Sequence, residues 1–138
     1  MQITIGNILA ADEIAAARAA LERAHFVDGR ATAGFAARMV KNNQQAEGSD
    51  RSLATIRKLV ANRILGSEVF RLAVRPKALS PLLFSRYEQG MHYGSHVDDA
   101  LMDGMRTDVS FTLFLSDPES YEGGALPIES ASGEETFK

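Results

Sequence analysis

The chain has 138 residues, a formal net charge of −3 at pH 7 and no cysteine, and 45% of its residues are hydrophobic. The lack of cysteine excludes disulfides, thiolate metal sites and a cysteine nucleophile. The slightly acidic charge gives no reason to expect nucleic acid or a membrane surface as a partner. Because the sequence has neither a leader-like N-terminus nor an apolar run of membrane-spanning length, we expect a cytoplasmic protein of one domain.

The first half of the sequence predicts helices. Gln2–Ile5 alternates polar and apolar residues, which indicates a short strand at the start. A helix is expected from Asp12 to about Ala24, because apolar residues recur there at helical spacing. Asp50 is a good N-cap for a second helix, and Ser67 can cap a short third one. The predicted buried stripe of the second helix consists of Leu53, Ile56, Val60 and Ile64.

Between these helices the pattern is ambiguous. Thr32–Val40 fits either a strand or a loop. The polar run Lys41–Gln45 that follows has the composition of a solvated loop, and composition favours that interpretation. Amide side chains both donate and accept hydrogen bonds, so the alternative is that this run contacts a substrate.

The second half of the sequence predicts strands separated by turns that contain glycine or proline. The predicted strands are Leu82–Glu88, Tyr93–Asp98, Asp108–Ser116 and Ala125–Glu129. Pro127 cannot donate to a strand ladder, which predicts an edge or a bulge at that point. Helices followed by a run of short strands indicate an α+β or mainly β fold, with an antiparallel sheet flanked by helices.

The chemistry of the chain is concentrated at His96 and Asp98. In a strand, residues two apart point to the same face, so the imidazole and the carboxylate can converge on one ion. These groups make up two-thirds of the facial set of two histidines and one carboxylate that suits non-heme Fe(II). His92 lies too far along the strand to share the ion, and Asp99 points to the other face.

Seven segments match a known family pattern in the same order. The matching segments are Val27–Arg30, Val40–Gln45, Arg86–Tyr87, Tyr93–Asp98, Arg106–Asp108, Thr112–Pro118 and Ser120–Gly124. Together they resemble the PKHD-type hydroxylases, bacterial Fe(II)- and 2-oxoglutarate-dependent dioxygenases related to prolyl 4-hydroxylases. The resemblance extends along nearly the whole chain.

For the fold, the resemblance implies a double-stranded β-helix (jelly-roll) core with helices packed outside it. Residues 1–75 would form an N-terminal helical support region. Residues 76–138 would form the N-terminal part of the jelly-roll core, in one structural unit with the helices. The implied reaction is hydroxylation of a C–H bond, coupled to oxidative decarboxylation of 2-oxoglutarate.

For the site, the resemblance implies that His96 and Asp98 are two of three protein ligands to Fe(II). Tyr87 would lie near the carboxylates of the cosubstrate 2-oxoglutarate, and Tyr93 is a further candidate. The side chains implied to line the substrate mouth are Lys41, Asn43 and Gln45. L-ascorbate is an expected auxiliary that keeps the iron ferrous. The substrate is a small molecule or a peptide that the sequence does not define, and the oligomeric state is equally open.

The chain departs from the family pattern at two positions. The pattern contains a distal histidine and a later arginine that pairs with the far carboxylate of 2-oxoglutarate, but His96 is the last histidine here and Arg106 the last arginine. We therefore expect a C-terminally truncated member with an incomplete jelly roll and no activity on its own. The alternative is a non-catalytic jelly-roll binding module, in which the pair is hydrogen-bonded or holds a structural ion. A cupin-like metal enzyme without 2-oxoglutarate would need more histidines.

Overall fold

The computed structural model describes residues 2–102 and 104–138, and helices make up much of its first half. The α-helices are α1 (Ala11–Glu22), α2 (Phe35–Arg38), α3 (Ala54–Gly66) and α4 (Glu68–Val74). Short 3-10 helices are formed by Gly29–Thr32, Arg51–Leu53 and Pro118–Ser120. The ambiguous stretch Thr32–Val40 therefore contains the short helix α2, not a strand.

The predicted helix starts are confirmed by the hydrogen bonds that satisfy their free backbone amides. At α1, the Ala10 amide donates to Glu13 Oε2 at 2.9 Å. Asp50 Oδ1 accepts from the Ser52 amide at 2.8 Å, at the start of the 3-10 turn that leads into α3. Ser67 Oγ accepts from the Phe70 amide at 3.3 Å and caps α4.

The hydrophobic core forms around α3. All four residues of the predicted stripe are buried, and Leu53 is fully buried. Helix α1 packs against this stripe through Ala17, and the core also includes Phe70 and Phe84. Leu113 and Leu115 pack against the same core from the second half of the chain. Both halves of the chain therefore contribute to one core, and the stripe from Leu53 to Ile64 is its largest single contribution.

The strands are short and antiparallel. Their bounds are β1 (Phe26–Asp28), β2 (Lys41–Asn42), β3 (Gln44–Ala46), β4 (Ser85–Arg86), β5 (His92–Tyr93), β6 (Leu101–Met102), β7 (Met105–Arg106), β8 (Leu126–Ser130) and β9 (Gly133–Phe137). They form one three-stranded sheet in the order β1-β3-β4 and the pairs β2-β5, β6-β7 and β8-β9. Pro127 lies in β8 opposite Thr136, in a two-stranded sheet where every strand is an edge.

Several strand predictions are wrong or too long. Gln2–Ile5 is not a strand, and Leu82–Glu88 is reduced to β4. The predicted strand Tyr93–Asp98 ends at Tyr93, so His96 and Asp98 lie in an irregular segment. Asp108–Ser116 has alternating apolar residues but no ladder partner among the described residues. Alternation selects the face that a residue points to, but a strand also needs a neighbour for its backbone hydrogen bonds.

The architecture is α+β, with small antiparallel sheets beside a helical core. Within residues 2–102 and 104–138 the strands do not close into a barrel, so the expected jelly-roll core is not observed here. The prediction for the last part of the chain is confirmed, since Ala125–Glu129 corresponds to β8 within one residue. No helix in the described ranges has the length and apolar character needed to cross a bilayer.

Candidate metal centre

His96 and Asp98 come together although they do not belong to a strand. The imidazole Nε2 lies 3.5 Å from Asp98 Oδ1. The imidazole side chain is 22% exposed and the carboxylate 62%. The imidazole is therefore the more sheltered of the two side chains, and the carboxylate the more exposed.

The orientation of the His96 ring is fixed by the backbone. Its Nδ1 lies 2.7 Å from the carbonyl oxygen of Gly94, which can only accept a hydrogen bond. Nδ1 therefore donates this hydrogen bond, and in the neutral tautomer Nε2 would be the nitrogen available to bind a metal ion. A hydrogen bond from the second ring nitrogen to a backbone carbonyl is typical of histidines that bind metals through the first.

The spacing of the two donors fits one metal ion. Two ligands with bonds of about 2.1 Å, at right angles to each other, are about 3 Å apart. The 3.5 Å separation observed in the protein is close to that value. Imidazole nitrogen and carboxylate oxygen are also the donors that ferrous iron takes in facial sites. His96 and Asp98 thus fit two positions of such a site.

The remaining acidic and histidine side chains do not complete a cluster. Across the described part of the chain, no group of three histidine, cysteine, aspartate or glutamate side chains could hold an ion. His92 lies in β5 opposite Asn42, and its side chain is exposed. The Asp99 carboxylate lies against Gly34.

Tyr93 connects the histidine to the neighbouring strand. Its ring stacks on the His96 imidazole, with centroids 3.7 Å apart and planes inclined by 14°. Lys41 is its cross-strand partner in the β2-β5 pair, and Lys41 Nζ lies 4.9 Å from the Tyr93 ring centroid. Burial raises the pKa of the Tyr93 phenol, and the negative charge of Asp98 adds to the rise. The phenol therefore stays protonated at neutral pH and can donate a hydrogen bond.

The polar run Lys41–Gln45 is not a solvated loop, and that interpretation is wrong. Lys41, Asn43 and Gln45 are 6%, 4% and 4% exposed. The run supplies β2 and the start of β3, and alternate residues of an extended segment point to one face. That face is turned toward the protein, so the polar side chains are buried together.

Strand pairing places this buried face beside both tyrosines. β2 pairs with β5, which positions Lys41 opposite Tyr93. β3 pairs with β4 through Gln44 and Arg86, and Tyr87 directly follows β4. The residues that the family resemblance assigns to substrate and to cosubstrate thus lie in, or directly beside, paired strands.

Each buried polar side chain has a different set of partners. Lys41 Nζ donates to Thr32 Oγ1 at 3.3 Å, and burial lowers the pKa of Lys41. Thr32 Oγ1 also bonds the side-chain oxygen of Gln45, whose Nε2 donates to Ser85 Oγ at 3.2 Å. Neither polar atom of the Asn43 amide has a hydrogen-bond partner in the described ranges.

Thr32 is a site residue that the sequence reasoning missed, and Gly94 holds the candidate histidine through its backbone. Thr32 bonds both Lys41 and Gln45, yet no motif marks it. Gly94 accepts the hydrogen bond of His96, and its amide donates to the Val40 carbonyl at 2.8 Å. A glycine two residues before a candidate ligand is a signal that the backbone approaches another element closely.

No family model matches the chain. The whole chain is 46% identical to a PKHD-type hydroxylase of Acaryochloris marina and 48% identical to one of Crocosphaera subtropica. It is also 45% identical to one of Gloeothece citriformis. The chain spans 63%, 64% and 63% of these relatives, slightly less than two thirds of their length. The similarity covers every part of the chain at this level, so the chain is homologous to PKHD-type hydroxylases along its whole length and corresponds to part of the length of these relatives.

Proposed function

We propose that the chain contributes the His96–Asp98 part of an Fe(II)- and 2-oxoglutarate-dependent hydroxylase site. The observation that carries this proposal is the geometry of the pair, in which His96 Nε2 lies 3.5 Å from Asp98 Oδ1. The relatives support the same reaction class, since they are named PKHD-type hydroxylases. In the whole protein, residues 76–138 would belong to a jelly-roll core and residues 1–75 would support it from outside.

The overall reaction consumes 2-oxoglutarate, O2 and a substrate C–H group, and yields succinate, CO2 and an alcohol. Ferrous iron at this site would supply the activation of O2, and L-ascorbate would keep the iron reduced. His96 and Asp98 would hold the iron in two positions of a facial set. The hydrogen bond to the Gly94 carbonyl would hold the proton on His96 Nδ1 and leave Nε2 to bind the ion.

The surrounding residues would orient the organic ligands. Tyr87 and Tyr93 carry phenols that can donate hydrogen bonds to carboxylate oxygens of 2-oxoglutarate. Burial raises the pKa of the Tyr87 phenol, and the neighbouring Asn43 amide opposes the rise only in part. Lys41, Asn43 and Gln45 would present donors and acceptors to a small-molecule or peptide substrate. Buried positions hold such groups in fixed directions, which a catalytic site requires.

The test is anaerobic titration of the chain with Fe(II) and 2-oxoglutarate. A visible metal-to-ligand absorption band appears only when both bind at one iron. We expect the band in the unmodified chain and in His92→Ala, and we expect its loss in Asp98→Ala. Binding of Fe(II) without the band would instead favour a binding module whose His–Asp pair holds a structural ion.

A further inference from the structure

The segment that carries His96 and Asp98 belongs to no strand pair in the described part of the chain. Residues 94–100 are irregular and lie between β5 and β6, and the Asp98 carboxylate is 62% exposed. A segment without a ladder depends on individual contacts for its position. The contacts at its two ends therefore determine how closely the imidazole and the carboxylate stay together.

The first end of this segment is tied to the stretch that contains α2. The Gly94 amide donates to the Val40 carbonyl at 2.8 Å, in continuation of the β2-β5 pair. The Val40 amide in turn donates to the carbonyl of the buried Ala37 in α2 at 3.2 Å. The backbone is therefore fixed two residues before His96.

The second end is tied to Thr107. Its hydroxyl donates to the Asp99 carbonyl, and its amide donates to the Ala100 carbonyl at 3.0 Å. The amide bond continues the hairpin that β6 and β7 form. The hydroxyl bond reaches beyond that hairpin, to the residue directly after Asp98. The Thr107 side chain thus joins the hairpin to the segment of the metal pair.

The neighbours of Thr107 keep its side chain directed at this bond. Arg106 and Asp108, on either side of it, bind each other, with Arg106 Nε 2.7 Å from Asp108 Oδ1. Their ion pair places both charged side chains on one side of the chain. Thr107 is half-buried, whereas Arg106 and Asp108 are exposed. The hydroxyl is therefore used for the Asp99 carbonyl and not for solvent.

We propose that Thr107 is a positioning residue for the His96–Asp98 pair and acts through the Asp99 carbonyl. The inference rests on the proposed function, since it assigns Thr107 a role toward the metal ion. Thr107 holds one end of the segment, and Val40 holds the other. With both ends fixed, the imidazole and the carboxylate keep the 3.5 Å separation that suits one ion. Ligands that are already in place bind more tightly, because less conformational freedom is lost on binding.

The test compares the unmodified chain with Thr107→Val, which removes the hydroxyl and keeps the shape of the side chain. In the metal-free chain we expect the variant to shift the amide NMR signals of His96 and Asp98. In calorimetric titrations with Mn²⁺ we expect the affinity to fall about three- to tenfold, the effect of losing one hydrogen bond. Thr107→Ser keeps the hydroxyl and should restore most of the affinity.

Thr136→Val is the matched control, because Thr136 is an exposed threonine in β9. It should leave the amide signals of His96 and Asp98 and the Mn²⁺ affinity unchanged. The amide spectrum shows whether each variant is folded. Should Thr107→Val fail to fold, Thr107→Ala removes the same hydroxyl without adding apolar surface.

Two results would overturn the proposal. In the first, Thr107→Val leaves the His96 and Asp98 signals unshifted. In the second, Thr107→Val lowers the free energy of unfolding in urea but not the Mn²⁺ affinity, as expected of a bond that only stabilises the hairpin. Failure of the unmodified chain to bind Mn²⁺ would contradict the proposed function instead, and the metal-free signals would then decide whether Thr107 positions the pair.

Discussion

The rings of Tyr93 and His96 are stacked, with their centroids 3.7 Å apart. Tyr93 is the last residue of β5, and β5 pairs with β2. His96 lies three residues later, outside any strand. The stack and the hydrogen bond to Gly94 therefore both restrain the imidazole.

Replacing the Tyr93 ring should weaken metal binding without removing a ligand. Aromatic stacking of this kind is worth about 0.5–1.5 kcal/mol, so Tyr93→Leu should lower the affinity for Fe(II) several-fold. Tyr93→Phe preserves the stack and should bind like the unmodified chain. Anaerobic calorimetry measures the Fe(II) affinity of both variants. Equal affinity in the leucine variant would mean that the stack does not position His96.

Gly94→Ala should disturb the same histidine through the backbone. A Cβ at position 94 would lie 3.0 Å from Val40 Cβ, too close for the present separation of the two segments. Because the Gly94 carbonyl holds His96 Nδ1, a shift of this segment should lower metal affinity. Gly48→Ala is the control, since nothing lies within 4 Å of an added Cβ there. Calorimetric affinity that falls equally in both variants would contradict this prediction.

Leu53→Ala should be one of the most destabilising single substitutions. Leu53 is fully buried where α3 begins. Removing such a side chain costs about 2–5 kcal/mol through lost burial and a residual cavity. Urea unfolding measures the loss of unfolding free energy. The control is Leu72→Ala, which should cost much less because Leu72 is 67% exposed. Similar losses in both variants would contradict the core described above.

The ion pair between Glu13 and Arg63 should make stability depend on pH. It joins α1 to α3 with an N–O distance of 2.6 Å, and the hydrogen bond from Arg63 lowers the pKa of Glu13 below its ordinary 4.5. The stability it contributes is therefore fully present above about pH 4.5 and is lost as the pH falls through the lower folded-state pKa. Urea unfolding at several pH values should show that the free energy of unfolding falls less at acid pH in Arg63→Met than in the unmodified chain. An equal fall of the unfolding free energy in both proteins would show that the ion pair does not contribute to the pH dependence of stability.

The helical part of the fold could be predicted from the sequence in detail. The spacing of Leu53, Ile56, Val60 and Ile64 marks one face of α3, and all four are buried. Asp50 and Ser67 cap the helices that follow them. These features are local, so short sequence patterns contain the information that sets them.

The strands depend on partners distant in sequence, and prediction was weaker there. Leu113 and Leu115 pack on the core as their alternation implies, yet their segment has no strand neighbour among the described residues. His96 and Asp98 were selected by strand parity, but they lie in an irregular segment in which the Gly94 carbonyl orients the imidazole. The burial of Lys41 was not foreseen, because composition cannot show which strands will cover a polar run.

The measurement that tests the central claim most directly is the effect of Mn²⁺ on the NMR spectrum of the chain. Mn²⁺ takes nitrogen and oxygen ligands, and its unpaired electrons broaden the signals of nearby nuclei. If His96 Nε2 and Asp98 Oδ1 bind one cation, broadening should centre on Gly94–Asp98 and should disappear in His96→Ala but persist in His92→Ala. Broadening centred elsewhere, or unchanged broadening in His96→Ala, would contradict the proposed metal centre.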